Sequence, residues 1–572
     1  MGKKMILSGV WNFGFKEIAL EDASPETILP DSITVVPGCF DTALPLYGKC
    51  GTALYSRTVH CSGKVKLTIG ALGLEGKVFW DGKLIGICEH AFSPEVFCFQ
   101  AGKGGEHSLA IAVENTAKER SAGRMFVTDY DFHSYGGIYD EVVLEELDPF
   151  YFDRAAVTPL DLEGNVRIAL YMEGKMPEAP CKIFYRFDGG KWQSRVLSGM
   201  EEEWKCTVPS PRIWSPEDPQ LHTVEFTLDK EKEGFCVTFG IRIVETRKGE
   251  ILLNGKALML VGYNRHDCHP DFGYAVPEKI MLEDLKMIKA QGCNFIRGSH
   301  YPQREKFLDL CDRLGLLVWE EVLGWNNQPD HVRHPDFIRL EKEQCRTMVH
   351  KSINHPSVIM WGYLNEVYMP EGQSPRALLT ELTAILKEED PSRPVTFAFA
   401  TGWMNSSDTC LDLADILSFN TYPGWYGSWE CFSALHTVKP KLKELAQWAS
   451  RNKELREKPL IISEVGAAAI PGDHSTLRWS EEYQEELLRL VLEEVFDNAR
   501  YSGVAIWQFC DVRTHLGTTG ILSKPRGFNN KGVLDPYRKP KLAWRMICNF
   551  LKERAFDGWK KKAAVSRKKK QG

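Results

Sequence analysis

Two glutamates that directly follow apolar runs are the residues of this sequence best suited to chemistry. The run Pro356–Leu364 ends at Asn365 and Glu366, and the run Pro459–Ile462 leads into Glu464. A buried strand that delivers a carboxyl group at its C-terminal end holds that group in a pocket. Two such groups on one scaffold are what the cleavage of a glycosidic bond requires. Either glutamate alone could equally be the structural partner of an arginine or lysine, but the pair favours catalysis.

Composition narrows the class of protein. The chain has 572 residues, of which 43% are hydrophobic and 26% charged, and its net charge is −6. These values predict about three globular domains and no nucleic-acid partner. The 16 cysteines include no C-x-x-C pair, which argues against zinc and against a disulfide framework. No apolar stretch reaches membrane-spanning length and the N-terminus is a poor signal peptide, so we expect a cytoplasmic protein without a membrane partner.

The N-terminal half is predicted to be all-β. Alternating segments such as Val65–Ile69 and Ser108–Val113, without a helical period, predict a β-sandwich of the jelly-roll, sugar-binding kind over residues 1–150. Shorter alternating segments, Val166–Tyr171 and His222–Leu228, predict an immunoglobulin-like β-sandwich over residues 151–247. The glutamates lie beyond both of these domains.

From about residue 248 the pattern changes to strand, helix, strand. The apolar strand candidates are Leu258–Tyr263, Cys293–Ile296, Leu316–Trp319, Ser357–Leu364, Val395–Phe399, Ile416–Phe419, Leu460–Ile462 and Val504–Phe509. Eight strands alternating with amphipathic segments predict a (β/α)8 TIM barrel over residues 248–556, whose active site lies at the C-terminal strand ends. The basic segment 557–572 is predicted to be a disordered terminus rather than a polyanion-binding element.

Four segments around these residues resemble glycoside hydrolase family 2. They are Asn354–Val358 followed by Trp361-x-x-x-Asn365-Glu366, Ile462–Gly466, Val261–Asp267 and Ile296–Pro302. The resemblance covers about residues 10 to 552 and implies the domain order given above. It implies that Glu366 is the general acid/base and Glu464 the nucleophile of a double displacement, without a metal or organic cofactor. It also implies a homo-oligomer, either a dimer or a tetramer.

The segment Phe528–Gly532 indicates which sugar is bound. Its Asn529-x-Lys531 resembles a motif shared by the β-glucuronidases of this family, and Arg526 adds positive charge nearby. An ammonium group and an amide donor can together hold the carboxylate that distinguishes a uronic acid from a hexose. Without the resemblance, the same residues would be read as a surface turn. The predicted activity is therefore hydrolysis of β-D-glucuronides.

The same resemblance implies further substrate-binding residues. Tyr422 would lie near the nucleophile, Trp507 would lie under the pyranose ring, and Asp131 would reach the site from the first domain. The full set comprises Asp131, His266, Asn365, Asn420, Tyr422, Tyr426 and Trp507. For Trp507 the alternative is a place in the barrel core, and for His266 a buried histidine without a ligand.

The sequence alone does not determine the preferred leaving group, and it leaves rival activities to be considered. Residues 322–335 lack a longer loop that covers the site in some bacterial relatives, which suggests a cleft open to oligosaccharide as well as small-molecule glucuronides. The rivals are a β-galactosidase or β-galacturonidase on the same scaffold and a carbohydrate-binding protein that has lost catalysis. Asn529 and Lys531 argue against the galactosidase, but galacturonate shares the carboxylate and is not excluded.

Overall fold

The computed structural model describes residues 3–116, 125, 132–177, 181–368, 372–426, 432–514 and 524–560. Two all-β domains precede a closed barrel of eight parallel strands, which confirms the predicted fold class. The exact domain boundaries stay predictions, as does the basic segment 557–572, of which residues 561–572 lie outside the described part. No helix in the described part is long and apolar enough to cross a membrane.

The first domain is built around two long strands that bend. Its strands are β1 Lys4–Ile6, β2 Gly9–Lys16, β3 Ser32–Val36, β4 Gly38–Cys39, β5 Thr52–Ile69, β6 Glu75–Trp80, β7 Lys83–Cys88, β8 Glu95–Glu114, β9 Gly137–Ile138 and β10 Val142–Glu146. The first half of β5 pairs with β2 and its second half with β10, and the register shifts at Gly63 between them. Tyr55 and Leu67, from the two halves, share one buried core, so the bent sheet forms the two layers of a sandwich.

The second domain is a sandwich of two antiparallel sheets. Its strands are β11 Phe150–Pro159, β12 Asn165–Gly174, β13 Lys182–Phe187, β14 Gln193–Val196, β15 Glu201–Thr207, β16 His222–Thr227 and β17 Phe235–Phe239. Three of them form the sheet β11-β12-β15, and four form the sheet β14-β13-β16-β17. Inward side chains from both sheets, among them Ile168 and Phe226, make a core of their own.

The barrel strands coincide with the eight apolar runs of the sequence. They are β21 Leu260–Asn264, β22 Phe295–Gly298, β23 Leu317–Glu321, β24 Val358–Asn365, β25 Val395–Ala400, β26 Leu417–Asn420, β27 Leu460–Val465 and β28 Tyr501–Ile506, and β28 closes on β21. Each strand is buried along nearly its whole length because helices cover the outer face and side chains fill the interior.

Among the described residues, seven helices and a few short strands complete the barrel domain. The helices are α1 Glu278–Gln291, α2 Glu305–Leu314, α3 Pro335–Ser352, α4 Arg376–Glu389, α5 Val438–Arg451, α6 Glu481–Asp497 and α7 Leu542–Glu553. A sheet of β18 Val244–Arg247, β19 Glu250–Leu253 and β20 Lys256–Ala257 precedes the first barrel strand. Ile251 and Leu253 of this sheet pack against Leu260 and Phe295 and close the N-terminal end of the barrel. The hairpin β29 Val512–Arg513 with β30 Phe528–Asn529 lies after β28.

The first sandwich packs against the barrel and becomes part of the wall of its open end. The ring of Phe92 stacks on Tyr301 with 3.8 Å between centroids and 7° between planes. The hydroxyl of Tyr274 donates to the backbone carbonyl of His133, and the backbone N–H of His133 donates to the carbonyl of Arg513. These contacts fix the segment that begins at Phe132 over the C-terminal ends of the barrel strands.

Gln344 is a single side chain that connects the sandwich to the barrel. It is fully buried on α3, its Oε1 accepts from the N–H of Leu323 at 2.7 Å, and its Nε2 donates to the carbonyl of Ala91 at 2.9 Å and to Ser93 Oγ at 3.0 Å. The substitution Gln344→Leu leaves these groups without partners and is expected to cost about 1–3 kcal/mol.

The measurement is the thermal unfolding temperature, with Gln447→Leu on the exposed face of α5 as the matched control. Equal unfolding temperatures for the two variants would contradict the structural role of Gln344.

Candidate active site

A cavity of about 360 Å³ opens at the C-terminal ends of the barrel strands. Its walls include both predicted catalytic residues, Glu366 and Glu464, together with the aromatic ring of Trp507 and the ammonium group of Lys531. Because parallel strands all end on one face of the barrel, residues more than a hundred positions apart in the sequence meet here.

The end of β24 has an irregular backbone that presents two consecutive side chains to the cavity region. Leu364 and Glu366 have φ angles of 50° and 51°, a left-handed conformation that is uncommon outside glycine. The pairing of β24 with β25 shifts register between Gly362 and Asn365. In a regular strand the side chains of Asn365 and Glu366 would face opposite ways. Here the Nδ2 of Asn420 donates to both of them, at 2.9 Å to each.

A buried arginine, Arg297 at the end of β22, connects the two halves of the site. Its Nη1 donates to Glu464 Oε1 at 2.8 Å, and its Nη2 donates to Asn365 Oδ1 at 2.9 Å. Its Nε and Nη2 also form a two-pronged pair with Glu321, with both distances at 2.9 Å. Burial lowers the pKa of Arg297, but the negative charges of Glu321 and Glu464 raise it by more. The guanidinium therefore stays charged.

Glu464 accepts hydrogen bonds at both of its carboxylate oxygens. Arg297 donates to Oε1, and the hydroxyl of Tyr422 donates to Oε2 at 2.7 Å. Burial and the adjacent Glu464 charge raise the pKa of Tyr422 well above its ordinary value, which keeps this hydroxyl a donor. A carboxylate held at both oxygens is fixed in orientation, as a nucleophile must be.

Glu366 has a different environment, and its protonation differs accordingly. Burial, reinforced by repulsion from Glu464, raises the pKa of Glu366 from the ordinary 4.5 to about 7, although the hydrogen bond from Asn420 opposes the shift. Two neighbouring carboxyl groups in unequal surroundings are the arrangement that separates an acid from a nucleophile. Near neutral pH the pair can therefore hold one proton on Glu366.

A cationic pocket lies at the side of the cavity formed after β28. Lys531 is only 4% exposed, and its Nζ donates to the hydroxyl of Tyr426 at 2.8 Å. The same ammonium lies 5.7 Å from the ring centre of Tyr422 and 5.9 Å from that of Trp425. The backbone N–H of Lys531 donates to Asn529 Oδ1 at 3.3 Å, which ties the two residues of the motif together. A buried ammonium in an aromatic cage is suited to bind an anion.

The structure brings most of the residues named from the sequence to one place. The cavity is lined by Glu366, Glu464, Asn420, Tyr422, Tyr426, Trp507 and Lys531. Asn365 and Asn529 are buried beside it and contact its lining residues. Their roles toward a substrate stay predictions.

Of the other three residues named from the sequence, His266 and Arg526 lie outside the cavity wall, and the third is not among the described residues. His266 is buried behind Trp507, edge-on at 5.5 Å between ring centres. Arg526 lies exposed in the short 3-10 turn Pro525–Gly527, outside the cavity lining. Asp131 is outside the described residues, although its neighbour Phe132 does line the cavity.

Sequence reasoning missed the polar network beneath the two glutamates. Arg297 and Glu321 end their strands as Asn365 does, and that shared position was the available signal. His300 also lines the cavity, and its ring stacks on Trp507 with 5.1 Å between centres and 16° between planes. Burial and the Arg297 charge lower the pKa of His300 to about 3, so it is neutral.

One cluster of potential metal ligands occurs in the described part of the chain, away from this cavity. It consists of Asp309, Asp312 and His355. His355 Nδ1 lies 2.6 Å from an oxygen of Asp312, whose other oxygen accepts from the N–H of Ser357 at 2.9 Å. These bonds join α2 to the start of β24, at the end of the barrel opposite Glu366, and are those of a structural ion pair.

Comparison with known proteins gives a consistent family assignment. The model "Glycosyl hydrolases family 2, TIM barrel domain" matches residues 244–544, and "Glycosyl hydrolases family 2" matches residues 188–242. A β-glucuronidase of Streptococcus agalactiae is 25% identical over 593 residues, with 94% of each chain covered. A β-glucuronidase of Rattus norvegicus is 30% identical over 440 residues, covering 73% of this chain and 64% of the relative. A crystal structure of a family 2 β-galacturonidase from Eisenbergiella tayi bound to galacturonate has a TM-score of 0.85 and 32% identity, with 98% of each chain covered.

Replacing Glu366 by glutamine is expected to stabilise the protein more at pH 8 than at pH 4. Glu366 keeps its proton up to about pH 7 in the folded protein, whereas in the unfolded chain it ionises near 4.5. The stability contributed by the raised pKa is fully present below about pH 4.5 and is lost as the pH rises through 7. Glutamine does not titrate and loses nothing.

The measurement is the difference in unfolding temperature between Glu366→Gln and the unaltered protein from pH 4 to 9. The exposed Glu388→Gln on α4 is the control. A difference for Glu366→Gln that stays constant with pH would contradict the raised pKa.

Proposed function

The chain belongs to glycoside hydrolase family 2, and from this premise we propose that it is a retaining β-uronidase that hydrolyses β-D-glucuronides. The observation that carries the proposal is that one cavity holds the carboxyl pair Glu366 and Glu464 together with the buried ammonium of Lys531. The carboxyl pair supplies the chemistry of glycosidic cleavage, and the ammonium supplies a partner for a uronate carboxylate.

In the first step, a carboxylate oxygen of Glu464 attacks the anomeric carbon while Glu366 gives its proton to the glycosidic oxygen. The carbon–oxygen bond to the leaving group breaks and a glycosyl ester with Glu464 forms. A pKa of about 7 makes Glu366 an effective acid near neutral pH, because a substantial fraction carries the proton there.

In the second step, Glu366 takes a proton from water, and the water oxygen attacks the anomeric carbon and releases Glu464. Repulsion from the Glu464 charge is one cause of the raised pKa of Glu366. That charge is absent while Glu464 is esterified, so the pKa of Glu366 falls in the intermediate. Glu366 then acts as a base, as the second step requires.

Asn365 is suited to bind the sugar hydroxyl next to the anomeric carbon. Its Oδ1 is occupied by Arg297 and Asn420, and its buried Nδ2 has no partner among the described residues. A buried donor left unpaired costs free energy, which a hydrogen bond to substrate would recover. Arg297 holds both Asn365 and Glu464. The same arginine would therefore position the donor to this hydroxyl and the nucleophile.

The uronate end of the substrate would lie against Lys531. The ammonium of Lys531 is buried, where opposite charges attract strongly, so it would bind a carboxylate far better than the neutral hydroxymethyl group of a hexose. The hydroxyl of Tyr426 already accepts from Lys531 and can turn its proton toward the same carboxylate. A preference for uronides over hexosides follows.

A β-galacturonidase is the second candidate, favoured by one specific observation. The Eisenbergiella tayi β-galacturonidase is 32% identical over nearly the whole chain, compared with 25% for the Streptococcus agalactiae β-glucuronidase. Galacturonate and glucuronate share the carboxylate that Lys531 would bind and differ in the orientation of one hydroxyl. Either uronide is therefore compatible with the mechanism given above.

The variants Glu464→Gln and Glu366→Gln are expected to lose activity in different ways. Glu464→Gln removes the nucleophile and should abolish turnover of every uronide. Glu366→Gln removes the acid, which is worth about 10²–10⁴-fold, and should lose most on poor leaving groups that need protonation. The measurement is kcat/KM on a 4-nitrophenyl and an alkyl β-glucuronide.

Glu388→Gln, an exposed glutamate on α4, is the matched control. Product anomers followed by NMR test retention directly, since a retaining enzyme first releases the β anomer. Release of the α anomer, or near-normal turnover by either variant, would refute the double displacement.

The variant Lys531→Met is expected to remove the preference for a uronate. Loss of a charge-assisted hydrogen bond should lower kcat/KM on a β-glucuronide about 10- to 100-fold more than on the matching β-glucoside. The galacturonide should lose as much as the glucuronide, because both carry the carboxylate. The exposed Lys279→Met on α1 is the control.

Equal losses on uronide and glucoside would reject Lys531 as the uronate partner. In the unaltered enzyme, the ratio of glucuronide to galacturonide turnover decides between the two sugars.

A further inference from the structure

A second lysine, Lys441, lines the same cavity, but its environment differs from that of Lys531. Lys531 is buried, whereas Lys441 is exposed and belongs to the first turn of α5. Both contribute to the wall of the cavity that contains Glu366. One sugar carboxylate can occupy the buried lysine, so the exposed one is available for a different anionic group.

The barrel order assigns Lys441 to the leaving-group side of the cavity. Glu366 follows β24, and its neighbours in the wall are Trp325 after β23 and Thr401 after β25. The leaving oxygen must contact Glu366, so the group attached to it extends toward this part of the wall. Lys441 is on the helix after β26, the strand next to β25 in the barrel, whereas Lys531 follows β28, two strands further along.

The surroundings of Lys441 leave its charge available. Its neighbours on α5 are paired, Lys439 with Glu493 and Lys443 with Glu494 of α6. Lys441 has no hydrogen-bond or ion-pair partner among the residues that the structure describes. The first turn of α5 also contains no acidic residue, so the partial positive charge of the helix end adds to that of the lysine. A helix start favours acidic side chains, and two lysines there are a cost that a bound anion would offset.

We propose that Lys441 forms a leaving-group subsite for an anion, so that the preferred substrates are uronides whose leaving group itself carries a carboxylate or sulfate. Trp325 supplies an aromatic face on the same wall, against which a sugar or aryl ring can pack. The substrate class is an acidic oligosaccharide or an acidic aryl uronide. This inference rests on the proposed uronidase activity and specifies the part of the substrate that leaves.

The test compares two uronides of equal size that differ in charge, the 4-carboxyphenyl and 4-carbamoylphenyl β-uronides. The quantity measured is the ratio of kcat/KM for the anionic to the neutral substrate, which cancels effects common to both. Lys441→Gln should lower this ratio about 1.4- to fivefold, the range for a solvent-accessible ion pair, and Lys441→Glu should lower it further. Raising the salt concentration should lower the ratio of the unaltered enzyme in the same direction.

The control is Lys453→Gln, an exposed lysine beyond the end of α5 and outside the cavity wall, which should keep the unaltered ratio. A sulfonate in place of the carboxylate tells which anion binds better. A ratio that is the same in both Lys441 variants and in the control overturns the subsite, as does an equal loss on both substrates. No turnover of either uronide by the unaltered enzyme would instead refute the uronidase activity, and the subsite with it.

Discussion

The buried guanidinium of Arg297 is the interaction on which the active site depends. It contacts side chains from four other barrel strands, Asn264, Glu321, Asn365 and Glu464, and its charged plane lies 4.5 Å from the ring centre of Trp319. A fully buried cation is tolerated only when its hydrogen bonds are made and its charge is balanced. Glu321 accepts two hydrogen bonds from Arg297 and Glu464 accepts one, so Glu464 is held in place without being the main partner of the guanidinium.

The proposed reaction uses two carboxyl groups, and these contacts give the third, Glu321, a separate role as the partner of Arg297. Glu321 is buried, bonded twice to Arg297, and does not line the cavity. Without it, Arg297 would bind Glu464 more strongly and make it a weaker nucleophile. Glu366 lies outside direct contact with Arg297 and responds mainly to burial and to the charge of Glu464. The protonation states that the proposed reaction needs would thus follow from which carboxyl group contacts the arginine.

Much of this arrangement could be predicted from the sequence, because the barrel imposes a simple rule. Apolar runs that end in polar residues are strands whose last side chains meet on one face, and Glu366 and Glu464 were found in this way, whereas the family resemblance pointed to Asn420. The sequence does not tell which strand ends touch, since that depends on register and on local breaks such as the one before Asn365. The hydrogen bonds of Arg297 are therefore visible only in the folded barrel.

Arg526 and His266 illustrate a second limit of sequence reasoning. Arg526 is three residues from Asn529, yet the left-handed turn at its own position, with φ of 60°, leaves it exposed. Proximity along the chain does not fix the direction of a turn residue. His266 lies within a family-like segment, but its ring packs edge-on against Trp507 and is not part of the cavity wall. Burial there lowers the pKa of His266 well below its ordinary value, so it supports Trp507 as a neutral ring.

The two lysines of the cavity differ in burial, and this difference would give each of them a different role in binding a substrate. Lys531 is enclosed by the rings of Tyr422, Trp425 and Tyr426, where water is scarce and an ion pair is strong. Lys441 faces solvent, where the same charge is screened and gives a graded preference rather than a requirement. This one difference in burial would make a carboxylate on the sugar a requirement for binding. It would make an anion on the leaving group only an advantage. The substrate of such a site would be acidic at both of its ends, and the bond to be broken would lie between them, beside Glu366.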